Sequence, residues 1–147
     1  MSSPAFIIGQ LQSNLRFKLA YISVYHDYQQ TVSEAEVKDL LGVLIEDEYE
    51  AIESLARRIR QLGGLVPFEE PPDAIKQDLR TKANAQPTTM TKLRFLQRGM
   101  TRALEWYDEQ ITAFADDVQT ADLLRQLREA KSHHLQRVEA MIAGLGG

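Results

Sequence analysis

The chain has 147 residues, 44% of them hydrophobic and 26% charged, which is typical of one globular domain with a core and excludes a disordered tail. Its 17 basic and 21 acidic residues give a net charge of −4, so neither nucleic acid nor an anionic membrane is expected as a partner. The absence of cysteine excludes disulfides, thiolate metal sites and cysteine nucleophiles, and no stretch approaches the ~20 apolar residues of a membrane span.

The first predicted helix covers residues 5–29. Its inward stripe follows helical spacing through Ile8, Leu11, Leu15, Lys18, Ile22 and Tyr25. A second apolar stripe, of Phe17, Tyr21, Val24 and Tyr28, is wider than one seam of a bundle requires. This stripe is either a broad core face or the surface of a homodimer. The residues before it lack the charged region of a secretory signal, so we expect a cytoplasmic protein.

The second predicted helix covers residues 34–62, after a short turn near Thr31. Ser33 and Glu36 have the spacing of a capping box, which predicts where this helix begins. Its stripe runs through Val37, Leu41, Leu44, Glu48, Ala51, Leu55 and Leu62. Because the turn is short, the first two helices are predicted to form an antiparallel hairpin. Arg57, Arg58 and Arg60 suit the C-terminal end of the helix dipole and require no ligand.

The next segment, residues 63–90, is long for a connection in a compact domain. It contains four of the five prolines, Pro67, Pro71, Pro72 and Pro87. A short helix is predicted around residues 73–83. We expect the segment to run the length of the bundle, since a helix of ~25 residues spans about 38 Å.

The remaining helices are predicted at residues 91–115 and 119–144, with a turn at Asp116 and Asp117. The stripe of the last helix is Leu124, Leu127, Lys131, His134, Val138, Met141 and Leu145. An offset of 83 residues relates the two hairpins, and it pairs Glu48 with Lys131 and Ala51 with His134. All long segments have the helical period, so the predicted class is all-α, with residues 1–147 as a single domain of two hairpins and one long crossover.

Two segments resemble helices of a known family. Residues 44–64, Leu-Ile-Glu-Asp-Glu-Tyr-Glu-Ala-Ile-Glu-Ser-Leu-Ala-Arg-Arg-Ile-Arg-Gln-Leu-Gly-Gly, and residues 103–111, Ala-Leu-Glu-Trp-Tyr-Asp-Glu-Gln-Ile, look like the second and third helices of rubrerythrin, bacterioferritin and starvation-protein relatives. The resemblance implies a ferritin-like antiparallel four-helix bundle. In the di-iron members two helices supply one Glu each and two supply Glu-x-x-His, all facing the core.

Carried across position by position, the family's six ligand positions fall on Lys18, Glu48, Ala51, Met100, Lys131 and His134. Two of these, Lys18 and Met100, each lie seven residues ahead of a core aromatic, as the single Glu does in the family. Only Glu48 and His134 keep a ligand type. No histidine in the chain has Glu or Asp three residues before it, so no Glu-x-x-His motif exists in any register.

The lysines at ligand positions have two main interpretations, and a remodelled metal or ligand site is a third. In the first, Lys18 and Lys131 are buried and neutralise Glu48, which supplies the positive charge that metals would supply in a di-iron site. In the second, both lysines extend outward between helices and contact nothing in the core.

The leading hypothesis is a ferritin-like bundle with a degenerate metal site, which acts as a structural or interaction protein and as a homodimer. It assigns no metal, cofactor-binding or catalytic residue. One alternative is a divergent iron- or manganese-dependent oxidoreductase or iron-handling protein. Its candidate ligands are Glu48, His134, Glu129, His133 and Glu105. Glu129 and His133 lie one position off the apolar stripe, so they are predicted to face solvent. A third hypothesis is a small-ligand carrier around Met100 and Trp106, which no motif indicates.

Basic residues gather in the third predicted helix and the one after it. They are Lys76, Arg80, Lys82, Lys92, Arg94, Arg98 and Arg102. Such a group can meet phosphate, but a solvated face is the favoured interpretation because no aromatic residues interleave with it. Nucleic acid is therefore not predicted as a partner.

Overall fold

The structure, a computed structural model, describes residues 3–69 and 73–146, and of residues 73–76 it describes the backbone alone. Its helices are α1 (Pro4–Thr31), α2 (Ala35–Gln61), α3 (Asp73–Asn84), α4 (Thr89–Ala113) and α5 (Val118–Gly146). No strand occurs among the described residues. The four long helices begin and end within two residues of their predicted limits, and the predicted short helix is α3. No helix within the described ranges is long and apolar enough to cross a membrane.

The long helices form two antiparallel hairpins, α1 with α2 and α4 with α5. Contacts between α2 and α5 show that these helices are antiparallel as well. Asp47 contacts His134, and about three turns further along α2, Arg58 contacts Asp117. Helix α3 lies against α1, where the Tyr28 hydroxyl donates a hydrogen bond of 2.8 Å to the Ala83 carbonyl. The crossover thus returns along the bundle, as its length predicts.

The start of α2 differs from its prediction. Glu34 is the N-cap residue and makes no side-chain capping bond, so the predicted Ser33–Glu36 capping box is wrong. The Glu34 carboxylate instead accepts a 2.7 Å hydrogen bond from the Thr89 hydroxyl at the start of α4. A tertiary contact has therefore replaced the local one. The capping box that does form joins Thr88 and Thr91 in α4.

A polar layer divides the core into two apolar clusters. The layer consists of the buried charged residues Lys18, Glu48 and Lys131, which lie between the two clusters. One cluster contains residues such as Ile22, Leu44 and Val138, and the other contains residues such as Leu15, Leu55 and Leu127. Each inward stripe is therefore interrupted at the same level of the bundle. Near the N-terminus the buried isoleucine is Ile7, where the pattern predicts Ile8.

The second stripe of α1 belongs to the interior. Tyr28 and Val24 are buried, while Phe17 and Tyr21 are partly buried and line a cavity that opens to solvent. Helix α3 covers Tyr28. Val24 and Tyr28 are thus core residues, as the broad core face predicts, and the homodimer stays a prediction.

Arg58 joins the end of α2 to the turn between α4 and α5. Its guanidinium donates to both carboxylate oxygens of Asp117, at 2.9 and 3.2 Å, and to the hydroxyl of Thr120 at 3.0 Å. At the C-terminal end of the α2 dipole, Arg58 requires no ligand. Its side chain is nevertheless mostly buried, with 11% exposed. Asp117 also accepts a hydrogen bond from the backbone N–H of Thr120.

We expect Arg58→Ala to destabilise the protein by about 2 kcal/mol, because hydrogen bonds to charged groups contribute more than neutral ones. Urea unfolding followed by circular dichroism measures the change. Arg57→Ala, one residue away on the exposed side of α2, is the control and should change the free energy of unfolding by less than about 0.5 kcal/mol. Equal effects of the two substitutions would contradict the assigned role.

Candidate functional site

Three charged side chains meet at the centre of the bundle. Lys18 and Lys131 approach the same oxygen, Oε1 of Glu48, with Nζ distances of 3.3 and 3.0 Å. All three residues are buried, with 3–6% of each exposed. We call them the Lys–Glu–Lys cluster. The ion-pair interpretation of the lysines is therefore confirmed, and the alternative in which they extend to solvent is wrong.

The electrostatics of the cluster follow from one carboxylate between two ammonium groups. Burial alone would raise the pKa of Glu48, but Lys131 and Lys18 together lower it to about 2. Burial lowers the pKa of Lys131, and its attraction to Glu48 only partly opposes this because Lys18 repels it. For Lys18 burial also acts to lower the pKa, but Glu48 and Tyr107 outweigh it and the pKa is raised. Glu48 is thus ionised at neutral pH.

Tyr107 borders the cluster on the α4 side. The Lys18 Nζ lies 5.8 Å from the centroid of its ring, which is within the range of a cation–π contact. The Tyr107 hydroxyl donates to the Asn14 side-chain oxygen at 3.3 Å. Sequence reasoning treats Tyr107 only as a core aromatic, so its contact with Lys18 depends on how α1 and α4 are placed.

His134 is buried but turns toward Asp47. Its Nε2 lies 2.9 Å from Asp47 Oδ2, and its Nδ1 has no hydrogen-bond partner among the described atoms. Burial and the nearby charge of Lys131 lower the pKa of His134, so the ring is neutral at pH 7 and Nε2 carries the donated proton. This tautomer is assigned from the hydrogen bond. Asp47 was not predicted from the sequence, where it is an ordinary acidic residue beside Glu48.

The other candidate residues are dispersed. Met100 is buried and Ala51 is half-buried, and neither supplies a ligand oxygen or nitrogen. Glu129, His133 and Glu105 are exposed, as predicted for the first two. The offset of 83 residues does have a structural meaning: Glu48 and Lys131, which it relates, contact each other directly.

A cavity of about 630 Å³ lies beside the cluster, between α1, α3 and α4. Its buried end includes Lys18, Glu48, Lys131 and Tyr107, whereas lining residues such as Arg98 are exposed. Several aromatic side chains also line the cavity; they are Phe17, Tyr21, Tyr25, Phe95 and Trp106. Both residues named for the carrier alternative, Met100 and Trp106, line this cavity.

Gly99 allows α4 to form this wall. A Cβ atom at position 99 would lie 2.5 Å from the Tyr21 hydroxyl oxygen, which is too close for any contact. Glycine in the middle of a helix costs about 1 kcal/mol relative to alanine, so its presence in the predicted fourth segment was a usable signal of close approach. The sequence does not indicate which side chain contacts α4 at Gly99.

The architecture matches a known fold. A solved structure described as that of ferritin-like, diiron-carboxylate proteins from Bacillus anthracis superposes with a TM-score of 0.76. The match covers 97% of this chain and 99% of that chain, at 17% sequence identity. No family model matches the chain. No curated protein matches it either. The protein therefore has the ferritin-like fold predicted from its sequence.

The residues at the family's ligand positions do not fit a di-iron carboxylate centre. Lys18 and Lys131 are ammonium groups, which have no lone pair for a metal, and Glu48 already accepts hydrogen bonds from both. Within residues 3–69 and 73–146, no group of three or more His, Asp and Glu side chains is placed to hold a metal ion. Hard divalent cations need several oxygen ligands at one point.

Proposed function

From the ferritin-like fold and its central ion pairs, we propose that this protein is a bundle in which the Lys–Glu–Lys cluster takes the place of a di-iron centre. It acts as a binding or structural protein and performs no iron-dependent oxidation. One observation carries the proposal: two buried ammonium groups lie within 3.3 Å of one carboxylate oxygen, at positions where the family places metal ligands. The positive charge that holds the carboxylate in the core is then part of the chain itself.

The likeness to a diiron-carboxylate protein favours the alternative of a divergent metal-dependent oxidoreductase or iron-handling protein, whereas the placement of its candidate ligands does not. Its candidate ligands point to different places: Glu48 to the lysines, His134 to Asp47, and Glu129 with His133 to solvent. Cytoplasmic location and a homodimer remain predictions, and sedimentation velocity tests the second.

Metal analysis tests the proposal most directly. We expect protein purified from cells supplemented with iron and manganese, and then dialysed, to contain far less than one equivalent of iron, manganese or zinc per chain. Inductively coupled plasma mass spectrometry provides the measurement. A content close to two metal ions per chain would contradict the proposal.

A surface pair provides the control. Glu129 and His133, one turn apart and exposed, can bind one zinc ion without involving the core. Any zinc held in this way should disappear in His133→Gln. Metal that persists in His133→Gln but is lost in Glu48→Gln would locate a site at the cluster and also overturn the proposal.

A further inference from the structure

The cavity beside the Lys–Glu–Lys cluster has the size and lining of a ligand site. Small-molecule sites usually occupy 300–1,000 Å³ and combine apolar walls with a few polar groups, and this cavity of about 630 Å³ does so. The cavity lies between α1 and α4, which contact each other through Tyr21 at Gly99 and through the Tyr107–Asn14 hydrogen bond, and α3 lines part of it. The space opens to solvent at Arg98 and Arg102 and extends inward to the Lys–Glu–Lys cluster.

The charge of the lining is opposite to that of the protein. Five basic side chains and two acidic ones line the cavity among the described residues, although the whole chain has a net charge of −4. Lys82 is paired with Asp78 at 3.1 Å, and the two buried lysines share Glu48. This accounts for both acidic residues of the lining and leaves the guanidinium groups of Arg98 and Arg102 with no carboxylate partner among the side chains that the structure describes.

Arg98 and Arg102 are placed to act together. They are four residues apart on α4, so they lie one above the other on one face of the helix, and both are exposed. The Arg102 guanidinium lies close enough to the Tyr21 hydroxyl to oppose the effect of burial on its pKa, which is nonetheless raised. Paired guanidinium groups recognise carboxylate and phosphate oxygens through forked hydrogen bonds. The exposed end of the cavity is therefore suited to an anion.

The walls suit a flat apolar body. Phe17 and Tyr21 of α1 and Trp106 of α4 are partly buried and line the cavity, whereas Tyr25 and Tyr107 lie behind them and are fully buried. Aromatic faces favour the stacking of a further ring. At the inner end the charges of the cluster are already paired. A ligand anion at the inner end would lie close to the negative charge of Glu48. The anionic end of a ligand is therefore expected near Arg98 and Arg102.

We propose that this cavity binds an organic anion with an aromatic body, with its carboxylate or phosphate head on Arg98 and Arg102 and its ring between the α1 and α4 aromatics. The inference rests on the proposed function in one respect, since it takes the Lys–Glu–Lys cluster as the permanent floor of the cavity. The metal analysis above tests that floor separately, so failure of one proposal can be distinguished from failure of the other.

The test uses 2-naphthoate, 2-naphthyl phosphate and the neutral 2-naphthalenemethanol as probes, with affinities from isothermal titration calorimetry. We expect at least one of the two anions to bind about tenfold or more tightly than the alcohol, a difference of about 1.4 kcal/mol. The better anion identifies the head group. Because Trp106 is the one tryptophan of the chain, its indole N–H signal in a ¹⁵N-labelled NMR spectrum reports binding inside the cavity.

Variants separate this site from general attraction to positive charge. Arg98→Gln with Arg102→Gln should weaken anion binding about tenfold or more while leaving the alcohol unchanged. Arg57→Gln with Arg94→Gln removes the same charge from exposed positions outside the cavity and should change neither. Ala103→Phe, which places a large side chain in the cavity, should abolish binding of all three probes. If that variant does not fold, the arginine variants still test the proposal.

Three results would overturn the proposal. They are equal affinity for the anions and the alcohol, equal losses in the two arginine pairs, or an unshifted Trp106 signal at a saturating concentration of the tighter anion.

Discussion

Replacing Glu48 by glutamine should destabilise the bundle by about 3–5 kcal/mol, the usual cost of removing one partner from a buried ion pair. The substitution keeps the shape of the side chain but leaves Lys18 and Lys131 buried without a counter-ion. Chemical denaturation at pH 7 gives the free energy of unfolding. The effect is a large part of the total stability of a domain of this size.

The companion variants make this prediction specific. Lys131→Met should cost far less, about 1 kcal/mol or below, because Lys18 still neutralises Glu48 and burial already disfavours the charge on Lys131. The triple variant Lys18→Met, Glu48→Gln and Lys131→Met should recover much of the stability that Glu48→Gln alone loses. Uncharged groups of similar volume often substitute for buried ion pairs.

Asp122→Asn, which breaks an exposed pair with Arg125, is the matched control and should cost about 0–1 kcal/mol. If Glu48→Gln costs no more than this control, the cluster does not hold the core in the way its geometry indicates.

Acid should remove the same stabilisation without any mutation. The pKa of Glu48 is about 2 in the folded protein and 4.5 is its ordinary value, so the unfolded chain binds the proton more readily between these limits. The contribution of Glu48 is therefore complete above about pH 5 and is lost as the pH falls toward 2. Over this range it amounts to about 3 kcal/mol.

The measurement is urea unfolding at several values between pH 6 and pH 2, in the wild type and in the triple variant of Lys18, Glu48 and Lys131. Other carboxylates titrate in both proteins, so the difference between the two curves isolates Glu48. We expect the wild type to lose about 3 kcal/mol more than the variant over this interval. Parallel curves would show that the pKa of Glu48 is the same in the folded and unfolded states.

The helices were predictable from the sequence because their signals are local. Apolar residues at spacings of three and four locate each helix, and the prolines and glycines between them locate the crossover. The same spacing places Lys18, Glu48, Lys131 and His134 on inward faces, where all four are buried. Residue type and period are enough to decide which face of a helix leaves water, since that choice depends on the whole stripe.

The partners of those side chains were decided by the tertiary structure. Periodicity could not distinguish lysines paired with Glu48 from lysines extended to solvent, because both conformations begin from the same Cβ position. Periodicity also could not show that His134 contacts Asp47, or that the Glu34 carboxylate accepts a hydrogen bond from Thr89 of α4. Each outcome depends on a residue from another helix within hydrogen-bond distance.

The cavity was the least predictable feature. Its wall joins residues far apart in the chain, such as Phe17 of α1, Leu79 of α3 and Trp106 of α4, and its existence depends on how far apart α1 and α4 lie. The sequence by itself determined the helices, their order and the buried level at which charged residues occur, because these follow from local hydrophobic patterns. Ion pairing, the orientation of His134 and the open space beside the cluster were decided only by tertiary structure, because they depend on distances between helices that no local pattern specifies.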